Sequence, residues 1–357
     1  MSKTRNRVLL ATTVGAALAA GGSAQVTRRK VAAHRNRPDP EARLLAEAPR
    51  VDRVTPVTTA DGLALHVEEV GATDAPLTVI FSHGWTCTEE TWVYQRRELA
   101  GDDVRLVFYD QRGHGRSGRP DELPESHSIE TLGDDLGRVL DAVAPDGPVV
   151  LVGHSMGGMT IMGLAERRPE LFRAGGRVVG VALLGTSAGG AAATMLSLPA
   201  MAAKLVQRFG PGGATRLAHF APRLESRRKT STLTWVLANH VSYGGDVPPS
   251  LVELMERMAS QSSIATIANF SGALFVHDKM KALAALRQIP VLVLVGSKDV
   301  LTPVDNSRTI AAEVPDAELV VLPGAGHMLM LERPALTSLH LRTLFGRARA
   351  AVRPSVA

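Results

Sequence analysis

The sequence contains a single cysteine, Cys87. One thiol cannot close an intramolecular disulfide, nor can it found a cysteine-based metal site. Nothing around Cys87 marks it as reactive, so it reads as a small buried residue. Aromatic residues are equally scarce, at 4% of the chain. No basic stripe with interleaved aromatics exists, and nucleic acid is not expected as a partner. No H-E-x-x-H occurs, and His83, His114 and His154 lack metal-ligand spacing. The glycine-rich stretch Gly185–Gly190 lacks the Lys-Ser/Thr ending of a P-loop and the spacing of a dinucleotide loop. It reads as a hinge.

Acidic residues are missing before Asp39. Lys3, Arg5, Arg7, Arg28, Arg29, Lys30, Arg35 and Arg37 all lie in that stretch, so the net charge of +5 is local. Beyond it, acids slightly outnumber bases. Between the two basic groups runs an apolar segment, residues 8–26, VLLATTVGAALAAGGSAQV. A charged start, a short apolar region and small residues near Ala24 fit a secretory signal, although Gly22-Ser23-Ala24 is a mediocre cleavage site. An uncleaved anchor is the alternative, since the run is just long enough to span a bilayer. The heavier basic cluster after it would then favour a cytoplasmic catalytic domain. The expectation is membrane association or export, and a cytoplasmic protein only if the segment is neither inserted nor cleaved. Residues 27–52, rich in Arg, Ala and Pro, read as a linker with a short helix at 40–48.

What remains is an ordinary globular chain. Its 357 residues are 45% hydrophobic and 21% charged, enough for one large domain with a sizeable core. Val54, Val57, Leu63, Leu65, Val67 and Val70 mark short strands around an Asp61-Gly62 turn. They are expected to pair antiparallel at one sheet edge. Six continuous apolar runs follow: 77–81, 104–109, 149–152, 178–184, 291–295 and 319–322. Such runs suit strands buried on both faces of a sheet. Helical periodicity occupies 127–143, 156–167, 305–313 and 334–347. Strand and helix alternate, which predicts an α/β fold with a mostly parallel, doubly wound sheet. The stretch 188–280 breaks the alternation with scattered Met, Phe and Leu. It reads as inserted helices whose apolar residues are core first and pocket lining second. The folded domain is expected over 53–347, with a tail at 348–357.

The chemistry centres on Gly153-His154-Ser155-Met156-Gly157. A G-x-S-x-G arises by chance in about one chain in ten of this length. Here it follows a strand and opens a helix, where a sharp turn needs small neighbours and lifts the hydroxyl above the sheet. A serine needs a base and an orienting acid. Asp299 follows the run at 291–295, and His327 follows the run at 319–322. Both stand at carboxy ends of strands, where open α/β sheets place their sites. His327 would take the proton of Ser155, and Asp299 would fix the imidazole. The backbone N–H groups of Trp85 and Met156 are the expected oxyanion donors. Asp305 is the rival acid, but it falls at a helix start and suits capping. Asp246 and Asp278 lack a strand end. Asp110, His83, His114 and His154 fit turn geometry or packing better than proton transfer.

His83-Gly84-Trp85, Asp110-Gln111-Arg112-Gly113-His114-Gly115-Arg116-Ser117, Gly153-His154-Ser155-Met156-Gly157-Gly158, Asp299 and His327 together resemble the α/β-hydrolase superfamily, in its serine-nucleophile, esterase/lipase-like branch. The resemblance spans roughly residues 54–347. It implies a sheet of about eight strands, a helical cap at 188–280, no cofactor and no metal. It also implies cleavage of an ester-like bond in a small or medium apolar molecule through an acyl-serine. Relatives with this pattern include thioesterases, lactonases, carbon–carbon hydrolases, aminopeptidases and perhydrolases, and some act as small-ligand receptors that retain the triad.

Overall fold

The computed structural model describes residues 29, 31–101, 103–121, 124–189 and 241–352. The expected signal or anchor segment at 8–26 lies outside them, as do residues 190–240 of the expected cap. Among the described residues no helix is long and apolar enough to cross a membrane.

Among the described residues ten strands form in chain order. They are β1 (Arg53–Val54), β2 (Val57–Thr58), β3 (Ala64–Leu65), β4 (Val67–Val70), β5 (Thr78–Ser82), β6 (Arg105–Tyr109), β7 (Val149–His154), β8 (Val178–Leu184), β9 (Val291–Gly296) and β10 (Glu318–Leu322). Eight of them make one sheet in the order β1-β4-β6-β5-β7-β8-β9-β10. From β6 to β10 every pairing is parallel; β4 and β1 are antiparallel at one edge. The hairpin around Asp61-Gly62 does form, but β2 and β3 pair only with each other in a separate two-stranded sheet. The expected antiparallel edge therefore belongs to β1 and β4.

The strand interior is apolar on both sides because successive side chains alternate. Val79, Phe81, Leu106, Phe108, Val150 and Val152 enter one core with the helix Pro334–Val352 and the helix Pro249–Ser260. Ile80, Val107, Leu151, Leu183 and Val293 enter the other with Ile129–Val143 and Met156–Arg167. The run at 319–322 is the exception. Strand β10 closes the sheet at an edge, so most of it is half-buried and Val321 is exposed. Helix Pro334–Val352 continues five residues past the expected end, with Ala348 fully buried beside Gly180 of β8.

Residues 31–52, expected to be a linker, lie against the body of the protein. Val31 is buried. Asp39 accepts hydrogen bonds from the backbone and hydroxyl of Ser250 (2.6 and 2.9 Å), and Glu41 accepts one from Tyr94 (2.8 Å). Between β8 and β9 the described residues carry the helices Pro249–Ser260 and Ile264–Val276. The ends of this insertion meet. Gly189 bridges Asp278, and the Lys279 N–H donates to the Ala188 carbonyl. The buried Lys279 ammonium then ties this junction to Glu130 and Glu166 on two core helices.

Candidate active site

Strand β5 lies between β6 and β7, so the chain leaves it toward opposite sides of the sheet. Loops diverge at the carboxy ends of such strands and open a crevice. Ser155 stands at this point as the single residue between β7 and the helix Met156–Arg167. Its φ is 52° and its ψ −117°, a conformation rare for any residue with a side chain. Two contacts force it. The Ser155 N–H donates to the Leu184 carbonyl of β8 at 2.9 Å, and the Thr186 hydroxyl donates to the Ser155 carbonyl at 2.7 Å. The glycines are required by close approach: a Cβ on Gly157 would sit 2.1 Å from the Ser82 carbonyl oxygen, and one on Gly153 would sit 2.5 Å from the Gly157 carbonyl.

Asp299 and His327 come together as expected. His327 Nδ1 and Asp299 Oδ2 are 2.9 Å apart, and both residues are buried. Burial alone would raise the Asp299 carboxyl. The His327 ring, the backbone N–H of Thr302 and the Thr302 hydroxyl outweigh it and hold the group below the usual range. The N–H groups of Leu301 and Thr302 donate to Oδ1 at 2.9 and 2.8 Å, while the Thr302 hydroxyl donates to Oδ2 at 2.8 Å. The bond to Asp299 leaves His327 Nε2 as the free ring nitrogen. Among the described residues no hydrogen bond joins Ser155 Oγ to His327, as is common before substrate tightens a site. The backbone N–H groups of Trp85 and Met156 likewise find no acceptor among the described residues. Gly84, which precedes Trp85, lies against Ser155: a Cβ there would be 3.3 Å from that of Ser155.

A sequence profile described as "Alpha/beta hydrolase family" matches residues 79–338. The chain belongs to the alpha/beta hydrolase family. It is similar to the AB hydrolase superfamily protein YisY of Bacillus subtilis, at 27% identity over 76% of this chain and 91% of that one. Among solved structures it is similar to an esterase from Exiguobacterium antarcticum, with a TM-score of 0.65 and 20% identity over 82% of this chain and 98% of that one. At that identity the likeness concerns the fold. A thermophilic esterase from Thermogutta terrifontis, 26% identical, superposes with a TM-score of 0.59 over 83% of this chain and 99% of that one.

The other candidates of this hydrolase sort by their contacts. His83 Nδ1 donates to the Gly84 carbonyl and its Nε2 accepts from the Gln111 N–H, so the ring is neutral and holds the loop before Trp85. Burial pushes it down to about 4. His114 donates to the Arg112 carbonyl and packs edge-on against His83 and near Phe270; burial and His83 push it down to about 3. The ring of His154 lies 4.7 Å from that of His327, and its Nε2 donates to the His327 carbonyl at 3.0 Å. Asp110 accepts from the N–H groups of Glu89 and Arg116, a turn-holding role. Asp305 is exposed and paired with Arg308, and the carboxylate bonded to His327 is that of Asp299. It does not cap its helix either: Pro303 holds that position and Asp305 lies in the first turn. Asp246 pairs with Arg37 on the surface, and Asp278 accepts from Met280 N–H at the insertion's end. Cys87 is buried, which pushes its thiol up to about 12. No group of three or more His, Cys, Asp or Glu able to hold a metal exists among the described residues.

Four residues here escaped the sequence reading. Thr302 braces Asp299, and its signal was the spacing of a hydroxyl three residues after an acid in a loop. Thr86 shares with Ser155 a positive φ among non-glycine residues (60°), directly after Trp85. Gly185 was read as a hinge, yet it has φ +50° and faces the acid–base pair: a Cβ there would be 3.2 Å from Asp299 Oδ2 and 3.5 Å from His327 Nδ1. Glu332 binds the Gly326 N–H, and an acid ending the run Met328-Leu329-Met330-Leu331 could have drawn notice.

Proposed function

We propose that this protein is a serine hydrolase that cleaves a carboxylic ester-like bond of a small or medium apolar molecule. Ser155 Oγ attacks the acyl carbon while His327 Nε2 removes its proton. The oxyanion then accepts from the N–H groups of Trp85 and Met156, donors worth about 3 kcal/mol each in other hydrolases. On collapse His327 returns the proton to the leaving alcohol. Water repeats the sequence on the acyl-serine and frees the acid. Asp299 holds the imidazole through Nδ1 and stabilises its charged form.

The observation that carries this reading is the strained Ser155 at the end of β7 together with the His327–Asp299 bond of 2.9 Å two strands away. An apolar substrate is supported by the cluster of Met156, Met159, Phe270, Leu274 and the half-buried Trp85, which packs at the expected oxyanion donors. Family members of the esterase type support the ester bond. A fluorophosphonate probe should label the wild type and not Ser155→Ala, and p-nitrophenyl esters of graded chain length should turn over. Equal labelling of the two proteins rejects Ser155 as nucleophile. Residues 8–26 would bring the enzyme to a membrane or across it, which fractionation of cells with and without residues 1–26 tests.

A further inference from the structure

His327 sits in the connection between β10 and the short helix Leu329–Glu332, and a base must be held to a fraction of an ångström. Asp299 fixes its ring. The structure also contains a second carboxylate that the reaction leaves unused. Glu332 follows His327 by five residues and ends the short helix Leu329–Glu332. It is half-buried, and burial raises its carboxyl above the ordinary value against the pull of two N–H groups. Its Oε1 accepts from the Gly326 N–H at 2.6 Å, on the residue just before His327. Its Oε2 accepts from the Gly244 N–H at 3.0 Å, within the insertion and ahead of the helix Pro249–Ser260. The same segment grips the other side of the base, where the Met328 N–H donates to the Ser242 carbonyl at 2.8 Å.

The contact is a close one. A Cβ on Gly326 would lie 2.3 Å from the Gly244 nitrogen, and one on Gly244 would lie 2.5 Å from the Gly326 nitrogen. Backbone meets backbone, so neither side can shift alone. Both carboxylate oxygens are spent on backbone donors, one on each partner. A neutral side chain can match only one of these two bonds.

We infer that Glu332 is a positioning residue for His327, and that it makes the seating of the base depend on the insertion segment Ser242–Gly244. This rests on the serine hydrolase reading above. The insertion thereby touches the chemistry through the backbone on either side of the base, besides any contact with substrate. A cavity of about 390 Å³ lies beside this clamp, lined among others by Glu332, Gly324, Gly245 and Leu331.

The test compares Glu332→Ala, Glu332→Gln and Gly244→Ala with the wild type on one p-nitrophenyl ester. A displaced base is expected to lower kcat on the order of 10- to 100-fold in Glu332→Ala while KM holds. The pH midpoint of kcat/KM should fall by about half a unit or more as the imidazole loses alignment with Asp299. Glu332→Gln can keep one of the two bonds, and should stand nearer the wild type than the alanine variant. Gly244→Ala pushes the segment Ser242–Gly244 off the loop and should reproduce the pH shift. Where Glu332→Ala fails to fold, Glu332→Gln and Gly244→Ala carry the same test. A lowered melting temperature with unchanged kcat and pH midpoint overturns the inference, because Glu332 would then serve stability alone. Fluorophosphonate labelling separates the two levels. A wild type that does not label at Ser155 overturns the hydrolase reading and this inference with it; a labelled wild type with unmoved variants overturns only the inference.

Discussion

Gly185→Ala tests whether the end of β8 sets the geometry of the acid and base. Gly185 has φ +50°, so any side chain there meets a left-handed conformation that costs an L-residue about 1–2 kcal/mol. A methyl would also lie 3.2 Å from Asp299 Oδ2 and 3.5 Å from both Nδ1 and the carbonyl oxygen of His327. That oxygen cannot retreat freely. His327 and the Thr302 hydroxyl hold Oδ2, and two N–H groups hold Oδ1 of the same carboxylate. Overpacking of this kind costs about a further 1–3 kcal/mol. We expect a total loss of about 2–5 kcal/mol, or roughly 2–4 °C of melting temperature for each kcal/mol in a domain of this size. A carboxylate moved by a few tenths of an ångström should also lower kcat/KM on the order of tenfold or more. Gly147→Ala supplies the matched control. It too has a positive φ, of 89°, but nothing lies within 4 Å of its would-be Cβ. It should lose about 1–2 kcal/mol and no activity. Melting curves and ester hydrolysis by both variants decide the matter. If Gly185→Ala behaves like Gly147→Ala in both assays, the packing of β8 against the acid–base pair has no functional weight.

Acid should destabilise the protein earlier than its carboxylates alone would bring about. Burial depresses His83 to about 4, and burial with the neighbouring His83 depresses His114 to about 3, while the unfolded chain protonates near 6.5. The unfolded state therefore binds more protons below pH 6.5. Stability is complete above that pH and falls by up to about 1.4 kcal/mol per pH unit per histidine down to the folded values. Urea midpoints that agree at pH 7 and pH 5 would contradict this, and His114→Phe should make the slope shallower. Arg112 is fully buried, with Nε and Nη2 on Asp135 at 2.6 and 2.8 Å and two further bonds to Asp61. Arg112→Ala strands the buried Asp135 and should cost about 3–5 kcal/mol in chemical denaturation. A loss under 1 kcal/mol would mean that water reaches the site and solvates that carboxylate.

The sheet was readable because parallel strands are buried on both faces and so spell continuous apolar runs. Val178–Leu184 matches its run to the residue. The elbow was readable because backbone crowding admits only glycine at positions 153 and 157. Asp299 and His327 were readable because strand ends are visible in the sequence. Features that depend on distant neighbours were hidden. The exposure of β10 follows from its place at the sheet edge, which its own residues do not encode. Residues 31–52 look like a linker because their bonding is long-range and polar, from Asp39 to Ser250 and from Glu41 to Tyr94. Gly185 looked like a hinge because a glycine that yields to a remote carboxylate has the same local sequence as one that bends.

Strand β8 explains why the hidden residues cluster where they do. It lies between β7, which leads into Ser155, the proposed nucleophile, and β9, which leads to Asp299, the proposed acid. Strand axes in a sheet are about 4.8 Å apart, so Ser155 and Asp299 start about 10 Å from each other and the imidazole must close the gap. The end of β8 transmits alignment across that gap. Leu184 and Thr186 bind the backbone of Ser155, and Gly185 leaves room for Asp299. The ends of the insertion meet beyond this bonded stretch, at the Gly189–Asp278 bridge, while its Phe270 and Leu274 pack with Met156, the residue after Ser155. At the base the insertion acts through backbone: the Ser242 carbonyl accepts from the Met328 N–H, and Gly244 packs on Gly326 while its N–H donates to Glu332. An insertion reshaped for a new substrate is therefore constrained at Ser242–Gly244, where a change in fit reaches the backbone on either side of His327.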